Sequence, residues 1–205
     1  PQGTLFGSAA LGGAVNYIAA RADTGDRAGR IEAGVADTAG SADPGYQIKG
    51  MINVPLIQDR LAVRAVATYR ERAGYIDNIG VGVRDSNSIE TFGARLSVEW
   101  KPTDAVSVSA LSLYFESEND DAFTAFSTLP DLQRSTRLLE PFRSTTEIHS
   151  LRGDLDLGWA SLTVQAAHSE KTTHNVTDFT NTFGGLFSGV PTQIPLIAER
   201  ASRGD

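Results

Sequence analysis

The chain has 205 residues, no cysteine, and 25 acidic against 18 basic residues, for a formal net charge of −7. The missing cysteines exclude a disulfide framework and a thiolate metal site, and the acidic balance gives no support to a nucleic-acid partner. No run approaches the about eighteen consecutive apolar residues of a membrane helix, and the mean hydropathy of −0.18 suits either a soluble β protein or a β-barrel, whose short alternating strands give a weak hydropathy signal.

The opening residues are the most specific. Gly3 and Gly7 bracket an apolar Leu5–Phe6 pair, Gly12 and Gly13 follow, and Ala14 to Ile18 reads as a short strand. Glycine reaches backbone conformations closed to other residues and lets two backbones approach closely, so this spacing predicts a tightly folded segment and not a linker. Pro1, Gln2, Gly3, Thr4, Leu5, Phe6 and Gly7, then Ala10, Leu11, Gly12, Gly13, Val15, Asn16 and Ile18, form a run that resembles the end of the plug domain of TonB-dependent outer-membrane receptors. The match covers under a tenth of the chain. With no initiator Met and no leader-like start, the expectation is a piece of a larger exported protein.

A polar linker, Ala19 to Gly29, comes next, and then the pattern turns to period two, the strand signal. Ile31, Ala33 and Val35 share a face. Tyr46, Ile48, Gly50, Ile52 and Val54 share another, with Pro55 expected near the strand end because it cannot donate to a ladder. Gln58–Asp59 predicts a tight hairpin. Leu61, Val63, Ala65, Ala67 and Tyr69 then alternate with Ala62, Arg64, Val66, Thr68 and Arg70. Phe92, Ala94, Leu96, Val98 and Trp100 alternate with Gly93, Arg95, Ser97 and Glu99, and Lys101 to Asp104 reads as a turn.

In the next strand, from Ala105 to about Glu116, the apolar phase slips near Ala110. That predicts either a β-bulge or a strand apolar on both faces. After Ser117 to Thr145, a sixth strand carries His149, Leu151, Gly153, Leu155 and Leu157 in register. Gly158 to Ala160 makes a short turn, a seventh strand holds Leu162, Val164 and Ala166, and the tail from Thr173 reads as polar and then rich in Gly and Phe. Connections alternate between short and long, as in outer-membrane barrels with short periplasmic turns and long outer loops. Segment length, aromatics near strand ends and this asymmetry favour a transmembrane barrel over a soluble sandwich.

The fold class expected is therefore all-β: about seven antiparallel strands of a transmembrane barrel at 28–205, preceded at 1–27 by the end of a plug domain and its linker. The resemblance implies a closed barrel of about 22 strands, so the isolated piece is expected to aggregate in aqueous buffer. It also implies the function, a gated outer-membrane importer of a Gram-negative bacterium. Its inner-membrane partner would be the TonB–ExbB–ExbD complex, engaged through a region upstream of these residues, its surroundings outer-membrane lipid, and its ligand a small molecule, foremost a ferric siderophore. Cobalamin, saccharides or aromatic compounds are alternatives within the family; a passive porin or an adhesin barrel is the alternative outside it. The resemblance gives Gly3, Leu5, Phe6, Gly7, Gly12, Gly13 and Asn16 a structural or gating role.

Nothing in the sequence points to an enzyme, a cofactor or a resident metal. His149, His168 and His174 match no metalloprotease pattern and read as rim or lumen residues, and Ser150 points away from its neighbour His149. Arg64, Arg70 and Arg95 are candidate lumen-facing cations, set either to pair with plug carboxylates or to line a watery gap. The acidic run Glu116, Glu118, Asp120 and Asp121 reads as a Ca2+ site or as a solvated loop face, the latter favoured. Phe123, Phe126, Phe142 and Phe183 either contact an aromatic ligand or pack the loops together.

Overall fold

The computed structural model describes residues 18–180 and the backbone of 197–204. Ten strands are formed among these residues: β1 (Ala28–Ala36), β2 (Gly45–Ile57), β3 (Leu61–Arg72), β4 (Asp77–Asn78), β5 (Ile89–Thr103), β6 (Val106–Asn119), β7 (Gln133–Arg134), β8 (Phe142–Asp156), β9 (Ser161–Asp178) and β10 (Ile197–Gly204). Eight of them make one antiparallel meander in the order β1-β2-β3-β5-β6-β8-β9-β10, and β4 and β7 pair separately. The sheet is open, with β1 and β10 as its edges. It has one strand more than the sequence suggested, because β9 continues to Asp178 and the stretch 197–204 pairs back onto it.

The turns that close the hairpins are chemically legible. At β2–β3, Asp59 takes the left-handed conformation (φ 58°) and the Arg60 amide donates to the Ile57 carbonyl at 3.0 Å. Aspartate tolerates that region better than most residues because its short side chain bonds locally. At β8–β9, Gly158 supplies φ 79°, with its amide on Asp156. Pro55 and Pro102 both fall where the register shifts, between Pro55 and Ile57 and between Trp100 and Thr103, so the missing N–H disturbs no regular ladder. Short connections (58–60, 104–105, 157–160) lie at one end of the sheet and longer ones (37–44, 73–88, 120–141) at the other.

The phase slip near Ala110 is not a bulge. Register is continuous from Val106 to Asn119 against β8 and through Ala110 against β5. The strand is apolar on both faces, with Val108 and Ala110 on one and Leu111, Leu113 and Phe115 on the other.

The register sorts side chains onto two faces. One carries Ile48, Tyr69 and Phe92 in adjacent register, then Ile52, Ala65 and Leu96, then Val54, Val63, Val98, Ala110 and Leu151. This apolar face is bare: Ile31, Ile52, Leu96, Trp100, Leu151 and Val164 are all exposed, Ile31 at 82%. The apolar side chains classed as buried among the described residues are Ala22, Ala62 and Ile76. No second sheet covers either face among the described residues, so the alternation is not that of a two-sheet sandwich.

The apolar band crosses the hydrogen-bond rows at a slant. Its aromatic edge steps from Tyr46, opposite Glu71, to Tyr69 opposite Phe92, and then to Tyr114 opposite Ala94. By β8 and β9 the band starts only at Leu151 and Ala166 and ends at the Leu157–Trp159 turn. A band that drifts along the strands is level only if the strands are tilted to it.

Candidate functional site

The opposite face is polar, and the three arginines singled out from the sequence all lie on it. Arg64 pairs in register with Asn53 and Ser97, Arg95 with Val66 and Leu113, and Arg70 with Gln47 and Thr91. Arg70 is exposed near the long-loop end. Arg64 and Arg95 are half-buried and line a cavity of about 190 Å3 with Arg30, Glu32 and Lys49. Further toward the short-turn end the same face carries an Arg152–Asp154 pair (2.8 Å), whose carboxylate also accepts from the Thr163 hydroxyl.

The linker lies along this polar face at the short-turn end. Asn53, buried, receives the Asp23 amide (2.9 Å) and donates to the Asp23 and Asp26 carbonyls (2.9 and 2.7 Å). The Asp59 amide donates to the Thr24 carbonyl and the Gln58 amide to Gly25, so the β2–β3 turn grips the linker a second time. Arg21 approaches the buried Glu99 at 3.7 Å. The chain running back toward the glycine-rich opening therefore leaves on the polar side of the sheet.

At the long-loop end a buried polar network joins segments 73–88 and 120–141. β4 and β7 pair in parallel, Asp77 with Gln133 and Asn78 with Arg134. Asn78 donates to Asp121 (2.8 Å) and Thr136 (2.6 Å) and accepts from the Thr136 amide (3.1 Å). Asp121 also accepts from the Ser86 hydroxyl and from the Ala122 and Glu140 amides. Arg134 lies between Asp121 and Glu140, and Glu140 in turn accepts from the Asp178 amide at 2.6 Å. Buried polar groups must find partners, and this set supplies nearly all of them internally.

Against the network opens a cavity of about 440 Å3 lined by Phe123, Phe126, Phe142, Phe179, Arg134 and Glu140. The Arg134 guanidinium lies 5.9 Å from the Phe126 ring centre, within cation–π range. Three of the four phenylalanines singled out from the sequence, Phe123, Phe126 and Phe142, meet here; Phe183 lies outside the described residues. Phe179 was not anticipated, and neither were Asn78, Arg134, Thr136 and Glu140. The sequence signal for them was weak, since polar residues in an aperiodic stretch read as solvated loop.

The acidic run does not form a cation site. Asp121 turns inward, Glu116 pairs with Arg143 at 2.7 Å, Glu118 lies 3.8 Å from Arg143, and Asp120 takes the Ser88 hydroxyl. A solvated face describes Asp120 but not Asp121. Among the described residues no group of three or more acidic, His or Cys side chains is placed to hold a metal ion.

His149 stands opposite His168, and His174 opposite Arg143. The first two lie on the apolar face, at the border of its band, and not on the polar face. Ser150 falls on the face away from His149, as the alternation required.

The opening residues Gly3, Leu5, Phe6, Gly7, Gly12, Gly13 and Asn16 lie outside the described residues. No protein-family model, no curated protein and no solved structure matches the chain.

Proposed function

We propose that this chain is part of a TonB-dependent outer-membrane receptor, the end of its plug and the first strands of its barrel, working in active uptake of a ferric siderophore. The observation that carries this reading is the linker. It joins a plug-like opening motif to the polar face of a tilted meander whose other face is bare and apolar. In lipid only a closed sheet satisfies every backbone group, so the open edges at β1 and β10 would be completed by further strands. The apolar face would meet acyl chains and the polar face the lumen. The short turns would be periplasmic and the long loops extracellular.

On this reading the phenylalanine-lined cavity belongs to the outer loops. Aromatic faces above a buried ion pair suit an aromatic, polar-edged ligand such as a catecholate-type chelate, and the docked loops present it as one preformed surface. Energy would come from the proton gradient through TonB, ExbB and ExbD, pulling on the plug whose end the linker carries. A passive porin would need no plug and no anchored linker.

Cells producing the whole receptor test this with a radiolabelled ferric siderophore. Collapsing the proton gradient is expected to abolish uptake while leaving surface binding intact. Uptake that persists without the gradient would contradict active import.

A further inference from the structure

The polar face holds more positive charge at one spot than its surroundings neutralise. Arg30, Lys49, Arg64 and Arg95 line one small cavity, and the carboxylate among its lining residues is Glu32, which pairs with Arg30. Arg64 and Arg95 are diagonal neighbours on β3 and β5, since Arg64 faces Ser97 and Arg95 faces Val66. Diagonal neighbours sit about 7–8 Å apart at the backbone, within reach for long side chains to converge. Each has its Nε shielded from solvent with no acceptor among the described residues. Lys49, Arg64 and Arg95 form no ion pair among the described residues.

Gathering like charges is unfavourable, and leaving buried donors unpaired costs further. Both penalties are removed by one group with several acceptor oxygens and negative charge. Guanidinium forks match carboxylate and phosphate oxygens in a bidentate way that a lysine alone does not.

We infer that Arg64 and Arg95, with Lys49 beside them, form an oxyanion-binding site on the polar face, taking a carboxylate or phosphate group. The oxyanion is either a small free anion or an acidic side chain of a protein segment seated against this face. The site goes beyond the receptor reading and does not depend on it, because its chemistry is the same whatever the chain transports. Failure of the proton-gradient experiment would leave it untouched.

The test uses the whole protein extracted from membranes in detergent, in two arms. In the first, inorganic phosphate is titrated and followed by 31P line broadening. In the second, a water-soluble carbodiimide couples Lys49 to any adjacent carboxylate, and the junction is mapped by mass spectrometry. A free-anion site binds phosphate; R64Q/R95Q weakens this by about tenfold or more, the loss expected for charge-assisted hydrogen bonds, while R70Q, on the same face but outside the cavity, leaves it unchanged. A site filled by a protein carboxylate resists phosphate but yields a cross-link from Lys49 to an acidic residue other than Glu32, and R64Q/R95Q lowers that yield several-fold.

Should R64Q/R95Q not fold, R64K/R95K keeps the charge but loses the forks, and a several-fold loss in either arm is still expected. Phosphate binding indifferent to these arginines, or none at all, together with a Lys49 cross-link to Glu32 alone would overturn the inference.

Discussion

Arg134 and Asp121 meet at 3.2 Å with both side chains withdrawn from solvent, at 1% and 0% exposure. Both belong to the 120–141 connection and form the most enclosed ion pair among the described residues, and Asp121 also accepts from Asn78 and Ser86 of segment 73–88, so the pair fixes the carboxylate on which the two middle loops lock. Removing one partner of such a pair leaves an unpaired buried charge, which costs about 3–5 kcal/mol. Arg134→Ala is therefore expected to undock segments 73–88 and 120–141 and to expose them to protease cleavage, with the main sheet intact. Cleavage kinetics indistinguishable from the parent would contradict this.

Asn53 has the same status for the linker. Asn53→Ala deletes three hydrogen bonds to Asp23 and Asp26 and orphans the groups left behind, at about 1–3 kcal/mol for each buried one. The linker is expected to detach from the polar face, and trypsin to cut at Arg21 and Arg27 far faster. Unchanged protection of both sites would show that the β2–β3 turn alone holds the segment.

Two glycines separate tight approach from free space. A Cβ on Gly80 would fall inside contact distance of the Thr136 backbone, whereas one on Gly153 meets nothing within 4 Å. Gly80→Ala should break the β4–β7 contact and destabilise the loops, while Gly153→Ala in mid-strand should be neutral or slightly stabilising, by up to about 1 kcal/mol. Urea unfolding of both variants reads the contrast, and equal effects would contradict it.

Asp178 ends β9 at the loop side, well past the last apolar row at Ala166. Burial pushes its carboxyl up, but hydrogen bonds from Thr180 and from the Arg137 amide (2.7 Å) outweigh this and hold it below its ordinary value. A depressed carboxylate stabilises the fold fully above its unfolded value, about 3.9, and the contribution is lost as pH falls through the lower folded value. The Arg137 and Thr180 amide protons should report a titration midpoint below about 3.9 by NMR, and Asp178→Asn should abolish it. A midpoint at or above that value would reverse the sign.

The sheet was legible wherever strand period and turn chemistry agreed. β3 and β5 alternate cleanly because one face is apolar throughout, and Asp59 and Gly158 sit where their backbone angles are needed. The slip at Ala110 left two readings open because Leu111, Leu113 and Phe115 put apolar bulk on the polar face, a pattern that sequence alone cannot tell from an inserted residue. β4 and β7 stayed hidden for a different reason. Each spans two residues, too short for a period, and their partners, Asp77 with Gln133 and Asn78 with Arg134, lie far apart in the chain. The arginines of the polar face were readable from alternation, but the enclosure of Arg64 and Arg95 with Lys49 depends on three strands in register and appears only once the sheet is assembled.

The most direct test of the two-faced wall uses the absence of cysteine from these residues. Single cysteines are placed at Phe92, Gly93, Ala94, Arg95, Leu96 and Ser97 in outer membranes and probed with a water-soluble, membrane-impermeant thiol reagent. The account predicts alternating reactivity, with Gly93→Cys, Arg95→Cys and Ser97→Cys labelled from water and Phe92→Cys, Ala94→Cys and Leu96→Cys protected by lipid. Uniform labelling of all six, or recovery of the protein in the soluble fraction, would contradict it.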